Sequence, residues 1–350
     1  MTSNNINNDQ KTNIVKMNES HNRIKSDMKL LDEKFIKLKN TIDLSKFYRY
    51  IKKTDKLTDY AFSTIIFIDN KYLPGILQWG YNLKNVIKTP YNLICLVQDR
   101  PYYEFDQGGT KFIQFPGLNE SEINDIQKVF DVVIGIDILS SAKYNYKEYS
   151  IDHKNIFYYS TKLLCLGLTD YKKIIYLDSS THVNLSIDYI FETINESSYY
   201  TGFGCEQANR GFVANYYLFI PQDYYLEKGL YIINNYATIF KNYYSNFTPD
   251  EDVIFYIIYP HWSRALLKDI LYSTRYPLIQ INTDMNYPLF SNIILKPFRY
   301  TLINKKNRFL FNNTYNTYKI WDEIVKKLLI SYPEFNKYFE FIKTYRYTNF

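Results

Sequence analysis

Ser160-Thr161-Lys162-Leu163-Leu164-Cys165-Leu166-Gly167-Leu168-Thr169-Asp170-Tyr171-Lys172-Lys173-Ile174-Ile175-Tyr176-Leu177-Asp178-Ser179-Ser180 is the stretch from which the fold is read. Leu163, Leu164, Leu166 and Leu168 crowd around Lys162 at helical density, and Asp170-Tyr171-Lys172-Lys173 breaks that pattern as a turn. Ile174-Ile175-Tyr176-Leu177 is then a continuous apolar run of strand length, as a central strand covered on both faces requires. It stops at Asp178-Ser179-Ser180. In open α/β sheets ligands bind beyond the carboxyl ends of the strands, so Asp178 stands where a nucleotide or a metal is held. The plainer alternative is that Asp178 caps the turn that follows.

Working outward, Ala61 to Ile68 is an apolar, β-branched strand, followed by Asp69-Asn70 and a helix carrying Tyr72, Gly75, Ile76, Leu77 and Leu83. Tyr91 to Gln98 and Lys111 to Phe115 read as the next strands, Glu120 to Phe130 as a helix, and Val132 to Asp137 as a further strand. Strands alternating with helices imply βαβ units and a Rossmann-like, mostly parallel sheet flanked by helices. Ser140 to Tyr158 is polar, Tyr-rich and without a period; it reads as a loop at the mouth of the site, and its His153 is given no role. Beyond the central block, Gly202, Gly204 and Gly211 suggest adaptable backbone around a pocket. Val213 to Pro221 reads as a strand, Asp223 to Tyr244 as a long helix, and Thr248-Pro249 as the start of another with acids in its first turn. From Asn316, the spacing of Ile320, Ile324 and Leu328, then of Phe335, Tyr338, Phe339 and Ile342, predicts two amphipathic helices.

The chain of 350 residues is long enough to bury a sizeable core, so residues 59–300 are taken as one catalytic-size domain between an extension over 1–58 and a helical segment over 301–350. Residues 1–58 carry 13 Lys and Arg against 7 Asp and Glu, an excess equal to the whole chain's +6, so the body is neutral and gives no reason to expect nucleic acid as a partner. Residues 1–20 are polar, without apolar anchors, and are expected to be disordered. Leu31, Phe35, Leu38 and Ile42 fall at helical spacing, for a helix that covers an exposed edge or joins an oligomer contact. No apolar run approaches the roughly 18 to 20 residues of a membrane span, and the first residues lack the apolar core of a signal peptide. Cys95, Cys165 and Cys205 are odd in number and lack metal-ligand spacing; they read as reduced thiols of a cytoplasmic protein.

The ordered recurrence of Thr161-Lys162-Leu163, a turn, an apolar strand, Asp178 and then Val183, Leu185, Ile187-Asp188 and Ile190-Phe191 resembles the glycogenin-like glycosyltransferases of family 8, retaining enzymes of the GT-A fold. The resemblance covers about residues 60–300. Further matching segments are Thr64-Ile65 with Tyr72 and Gly75-Ile76-Leu77, Asp250-Glu251-Asp252-Val253-Ile254, and Lys296-Pro297-Phe298. It implies a UDP-sugar donor with Thr64 and Tyr72 at the base, Lys162 and Lys296 at the phosphates, Asp178 at the ribose and the metal, and Asn215, Asp250 and Glu251 at the sugar. It also implies a divalent cation, manganese or magnesium. The chain departs from the family at two metal-ligand positions, because Ser180 stands for the second acid of Asp-x-Asp and Phe290 for a His.

Departure of a nucleoside diphosphate requires its developing negative charge to be stabilised, usually by a divalent cation acting as a Lewis acid. With Asp178 the one remaining family ligand, three outcomes stay open: weak metal binding through Asp178, Ser180 and the diphosphate; reliance on Lys162 and Lys296; or a catalytically silent binding or scaffold protein of the same fold. The sequence does not name the sugar or the acceptor, glycan or protein.

Overall fold

The computed structural model describes residues 33, 35, 43–67, 72–105, 111–139, 151–179, 182–183, 186–193, 200–201, 216–234, 253, 257, 294–295 and 314–340. The chain divides into two compact units, Met1–Asp43 and Leu44–Phe350. In the first, Glu33 and Phe35 are helical, Phe35 buried and Glu33 exposed, as the spacing around them predicts.

In the second unit β1 (Tyr48–Lys52) and β2 (Tyr60–Ile66) lead into helix α1 (Leu73–Tyr81), which runs on through a π-helical turn over Asn82–Ile87. Next come β3 (Asn92–Gln98), β4 (Tyr102–Phe105), β5 (Lys111–Phe115), helix α2 (Glu120–Val129) and β6 (Val132–Ile136). A long 3-10 helix, Ile151–Gly167, precedes β7 (Lys173–Leu177), β8 (His182–Val183), α3 (Tyr189–Thr193), β9 (Tyr200–Thr201), β10 (Tyr216–Phe219) and α4 (Asp223–Asn234). β11 (Ile294–Leu295) pairs with β8, and α5 (Thr314–Ser331), a short 3-10 turn, Pro333–Phe335, and a helical stretch over 336–340 end the described chain.

The main sheet has the order β1-β6-β3-β2-β7-β10-β9. Its four central strands, β6, β3, β2 and β7, are parallel, while β1 and β10 flank them antiparallel. The central strands are buried along their whole length or nearly so, which explains their unbroken apolar runs. Side chains alternate across a strand, so the sheet has two distinct faces. Phe62, Ile66, Cys95, Val97, Val133, Ile175 and Leu177 share one core with Ile76 and Leu77 of α1, Ile126 and Val129 of α2, and Ile324 and Leu328 of α5. The opposite face is covered by the Ile151–Gly167 helix, where Lys162 lies against Tyr176 and Cys165 against Ser63, side chains of paired positions on β7 and β2. Helix α4 packs on that helix, with Gly229 closing onto Leu163.

α2 begins as its sequence implies. Asn119 accepts from the Glu122 backbone N–H and the Glu122 carboxylate accepts from the Asn119 N–H, a reciprocal cap just before the apolar positions Ile126 and Val129.

Three expectations are corrected. Lys111–Phe115 is not a strand of the main sheet; it pairs antiparallel with Tyr102–Phe105 as a separate ribbon, because five residues between the two segments are too few for a crossover helix. The segment read as a loop over 140–158 is helical from Ile151, so His153 sits in a helix; its tyrosines blurred the apolar period. Tyr48–Lys52 lies within the stretch read as a basic extension, yet it forms the edge strand β1. Its Arg and Lys hide the strand pattern because they make structural bonds: Lys52 Nζ donates to Gln127 O and Phe130 O, both at 2.6 Å, at the carboxyl end of α2.

Candidate functional site

The four parallel strands end side by side, and the residues that follow them are Asp137 after β6, Asp99 after β3, Phe67 after β2 and Asp178 after β7. Two of these acids serve the scaffold. Arg49 on β1 donates from Nε to Asp99 Oδ2 at 3.0 Å and from Nη2 to Asp137 Oδ1 at 2.9 Å, with a further bond to Asp99 Oδ1. The hydrogen bonds to Asp99 hold the Arg49 guanidinium above its usual pKa, with Asp137 adding to the effect against the opposing cost of burial. Gly135, the register partner of Arg49, makes room for this: a Cβ there would overlap the Asp99 carboxylate.

Asp178 is half-buried and accepts from Ser179 Oγ at 3.5 Å. It follows Tyr176 by two residues, so in extended backbone both belong to one side of the sheet, about 7 Å apart along the chain. On that side the Lys162 ammonium sits 5.9 Å from the Tyr176 ring centroid. The ammonium is thereby held against a π face, an electrostatically favourable seat. Lys162 is 5% exposed, so its charge acts in a medium far less screening than water.

The helix bearing Lys162 is fixed at both ends of the relevant turn. The Leu139 N–H, just past β6, donates to Thr161 Oγ1 at 3.0 Å, and the Gln222 N–H donates to Leu166 O at 2.8 Å. Cys165 lies between, its thiol pKa pushed up to about 12 by burial, partly offset by Ser63 and Lys162; that of Cys95 is likewise raised well above its ordinary value, by burial and then by Cys165. Both are free, buried thiols.

Beside this edge stands a small aromatic core of Phe115, Ile138 and Tyr158, with Phe67 and Tyr102 packed on it. Tyr158 meets Phe115 and Tyr102 edge-on, at centroid distances of 5.0 and 5.5 Å. These residues set an apolar wall beside the carboxyl edge.

The expected site residues are distributed as follows. Lys162 lies against Tyr176 of β7, and Asp178 follows that strand two residues later at its carboxyl end. Tyr72 is the residue at which α1 starts, half-buried and packed on the main core, at the same carboxyl end, because α1 follows β2 directly. Thr64 is elsewhere: it lies inside β2, opposite Cys95, on the face away from Lys162 and fully buried, and its hydroxyl has no hydrogen-bond partner among the described residues. Ser180, Asn215, Asp250, Glu251, Phe290 and Lys296 lie outside the described residues. Tyr176 and the Phe67–Tyr158 wall were not singled out from sequence, and Thr161 was noted only as part of the Thr161-Lys162-Leu163 motif. Tyr176 alone carried a signal, as the one polar-tipped residue of its apolar strand.

Two solved structures to which the chain is similar are glycosyltransferases. The apo form of the glycosyltransferase GlyE of Streptococcus pneumoniae overlaps 79% of this chain and 64% of its own at a TM-score of 0.44 and 13% identity. The galactosyltransferase LgtC, in complex with donor and acceptor sugar analogs, overlaps 79% of this chain and 99% of its own at 0.44 and 12% identity. At such scores the likeness carries nothing over to this chain. An uncharacterized protein of Acanthamoeba polyphaga mimivirus is 29% identical over 136 residues, 39% of this chain and 41% of that protein, so the chain spans about two fifths of the relative it matches. No protein-family pattern matches the chain.

Among the described residues no three His, Cys, Asp or Glu side chains gather as a set able to hold a metal ion. Asp178 is a single carboxylate, and magnesium or manganese favours several oxygen ligands. The described donor set therefore does not match a divalent-cation cage. Among the described residues no helix is long and apolar enough to cross a membrane.

Proposed function

We propose that this protein is a glycosyltransferase that moves a hexose from a UDP-sugar to a glycan or protein acceptor with retention of configuration. The observation that supports the reading is Lys162 seated on Tyr176, two residues before Asp178 at the carboxyl end of a parallel strand.

In this reading the Lys162 ammonium faces the donor diphosphate. As the glycosidic bond to the diphosphate breaks, negative charge grows on the leaving oxygen, and a preorganised cation in a poorly screened site opposes that growth most effectively. Asp178 accepts hydrogen bonds from the ribose hydroxyls. Tyr72, at the start of α1, offers its ring to the base, since an aromatic face stacks on any nucleobase. Lys296 joins Lys162 at the phosphates, and Asp250, Glu251 and Asn215 address the sugar, on the strength of the sequence resemblance alone. Thr64, enclosed in the sheet, acts on the base pocket only by packing beneath it.

The test is calorimetric titration of UDP and a panel of UDP-sugars, with and without manganese, followed by assay of UDP release. Binding is expected without added metal, and Lys162→Ala and Asp178→Ala are each expected to lower turnover by about 10²- to 10³-fold. A protein that binds UDP and releases none from any donor is the silent relative of the same fold. A protein that binds no uridine nucleotide at all refutes the reading.

A further inference from the structure

We propose that Tyr48, on the edge strand β1, is a positioning residue for Lys162; for the donor phosphates this rests on the function proposed above. The helix carrying Lys162 ends at Gly167, and a helix end leaves backbone carbonyls without intrahelical partners. Here three of the last carbonyls find partners. Leu166 O accepts from the Gln222 N–H at 2.8 Å, Cys165 O from the Leu168 N–H at 3.3 Å, and Leu164 O from the Tyr48 hydroxyl at 2.6 Å. Leu164 O is also the carbonyl on which the last 3-10 turn, ending at Gly167, closes, so the phenol adds a second donor at the carboxyl end of the helix and ties it to β1.

Gly167 is the other half of the device. A Cβ there would overlap the Tyr48 hydroxyl and lie 2.6 Å from Leu226 Cδ2 and 3.2 Å from Tyr48 Cζ, so a residue with no side chain admits the phenol. Lys162 is two residues before Leu164, in the turn whose end Tyr48 sets, and its ammonium reaches the Tyr176 ring at 5.9 Å, near the outer limit for attraction to a ring face. A modest rotation of the turn takes the charge off that seat. Tyr48 is tied to the sheet by its backbone pairing with Ile136 on β6, so it refers the helix to the same strands that carry the site. Burial raises the phenol well above its ordinary pKa, with smaller contributions from Cys165, Asp223 and Tyr50, so it remains a donor at any working pH.

The experiment is competitive acetylation of the whole protein with acetic anhydride, read lysine by lysine by mass spectrometry, in the wild type, Tyr48→Phe and Gly167→Ala. Lys173 is the internal control: it is equally buried, but donates to Phe191 O at 2.9 Å and lies over the Tyr60 ring, away from Tyr48. In both variants the Lys162 rate is expected to rise about fivefold, the equilibrium weight of one hydrogen bond, with Lys173 unchanged. The UDP dissociation constant should weaken in the same direction as in Lys162→Ala. Equal gains at Lys162 and Lys173 mean general loosening and overturn the proposal, as does no change at either. Labelling does not depend on the nucleotide-sugar reading, so a wild type that fails to bind UDP refutes that reading while the acetylation rates still decide whether Tyr48 positions Lys162.

Discussion

Lys52→Met tests whether β1 clasps the body or merely borders it. Lys52 Nζ donates to Gln127 O and Phe130 O, both at 2.6 Å, where the carbonyls at the end of α2 have run out of helical partners. Methionine keeps the length of the stem and removes only the charged donor, so backbone and side-chain ordering nearly cancel between the two proteins. A hydrogen bond to a charged group contributes about 1.5–3 kcal/mol when sealed from water. Lys52 is half-buried, burial and the nearby Lys84 lower its pKa against the opposing Asp131, and water replaces part of each lost bond. That reduces each bond to about 1 kcal/mol and leaves roughly 2 kcal/mol in all, including the attraction of a cation to a helix carboxyl terminus. The assay is equilibrium urea unfolding followed by circular dichroism, with the variant midpoint lower at unchanged slope. Lys52→Arg, which keeps charge and donors, should recover part of the loss. A Met variant within about 0.5 kcal/mol of the wild type, the scatter of an ordinary surface substitution, refutes the clasp.

A chain beginning at Leu44 should unfold cooperatively, whereas one beginning at Asp59 lacks β1 and should not; equal behaviour of the two would contradict the placing of β1 in the sheet. Gly135→Ala pushes the Asp99 carboxylate off Arg49 and should cost about 1–3 kcal/mol in thermal unfolding, and a neutral result would mean the Arg49 bonds re-form elsewhere. Burial pushes Asp125 up, but hydrogen bonds from Lys128, Lys337 and Tyr338 outweigh it and leave the carboxyl below its usual 3.8. A depressed carboxyl contributes stability that is complete above 3.8 and fades as pH falls through the lowered value, so Asp125→Asn should flatten the acid limb of a stability curve below that point; an unaltered limb refutes this.

The parts of the fold legible in the sequence are those that local physics writes locally. Ile174 to Leu177 must be a strand buried on both faces because no polar alternation interrupts it, and β3 and β6 are as plain for the same reason. The cap Asn119 with Glu122 marks the start of α2 within four residues. The return of the Lys162 helix onto the strand that Asp178 ends was likewise foreseeable, since a helix, a turn and a strand in succession bring the chain back on itself. β1 was not: its Tyr48, Arg49 and Lys52 spend their polar atoms on partners 50 to 116 residues away, and nothing in the five residues names those partners. Thr64 failed for a related reason, because position in a motif does not say how deep in a strand a side chain lies.

The sequence alone determined that an α/β body with a buried parallel sheet follows the basic region, and that Asp178 closes a central strand, because burial and period are properties of neighbouring residues. Only the tertiary structure decided which acids at that sheet edge are committed to Arg49, that Lys162 rests on Tyr176, and that a strand outside the expected domain completes the sheet. Those outcomes depend on through-space pairs whose geometry exists only once strands far apart in the chain have found their register.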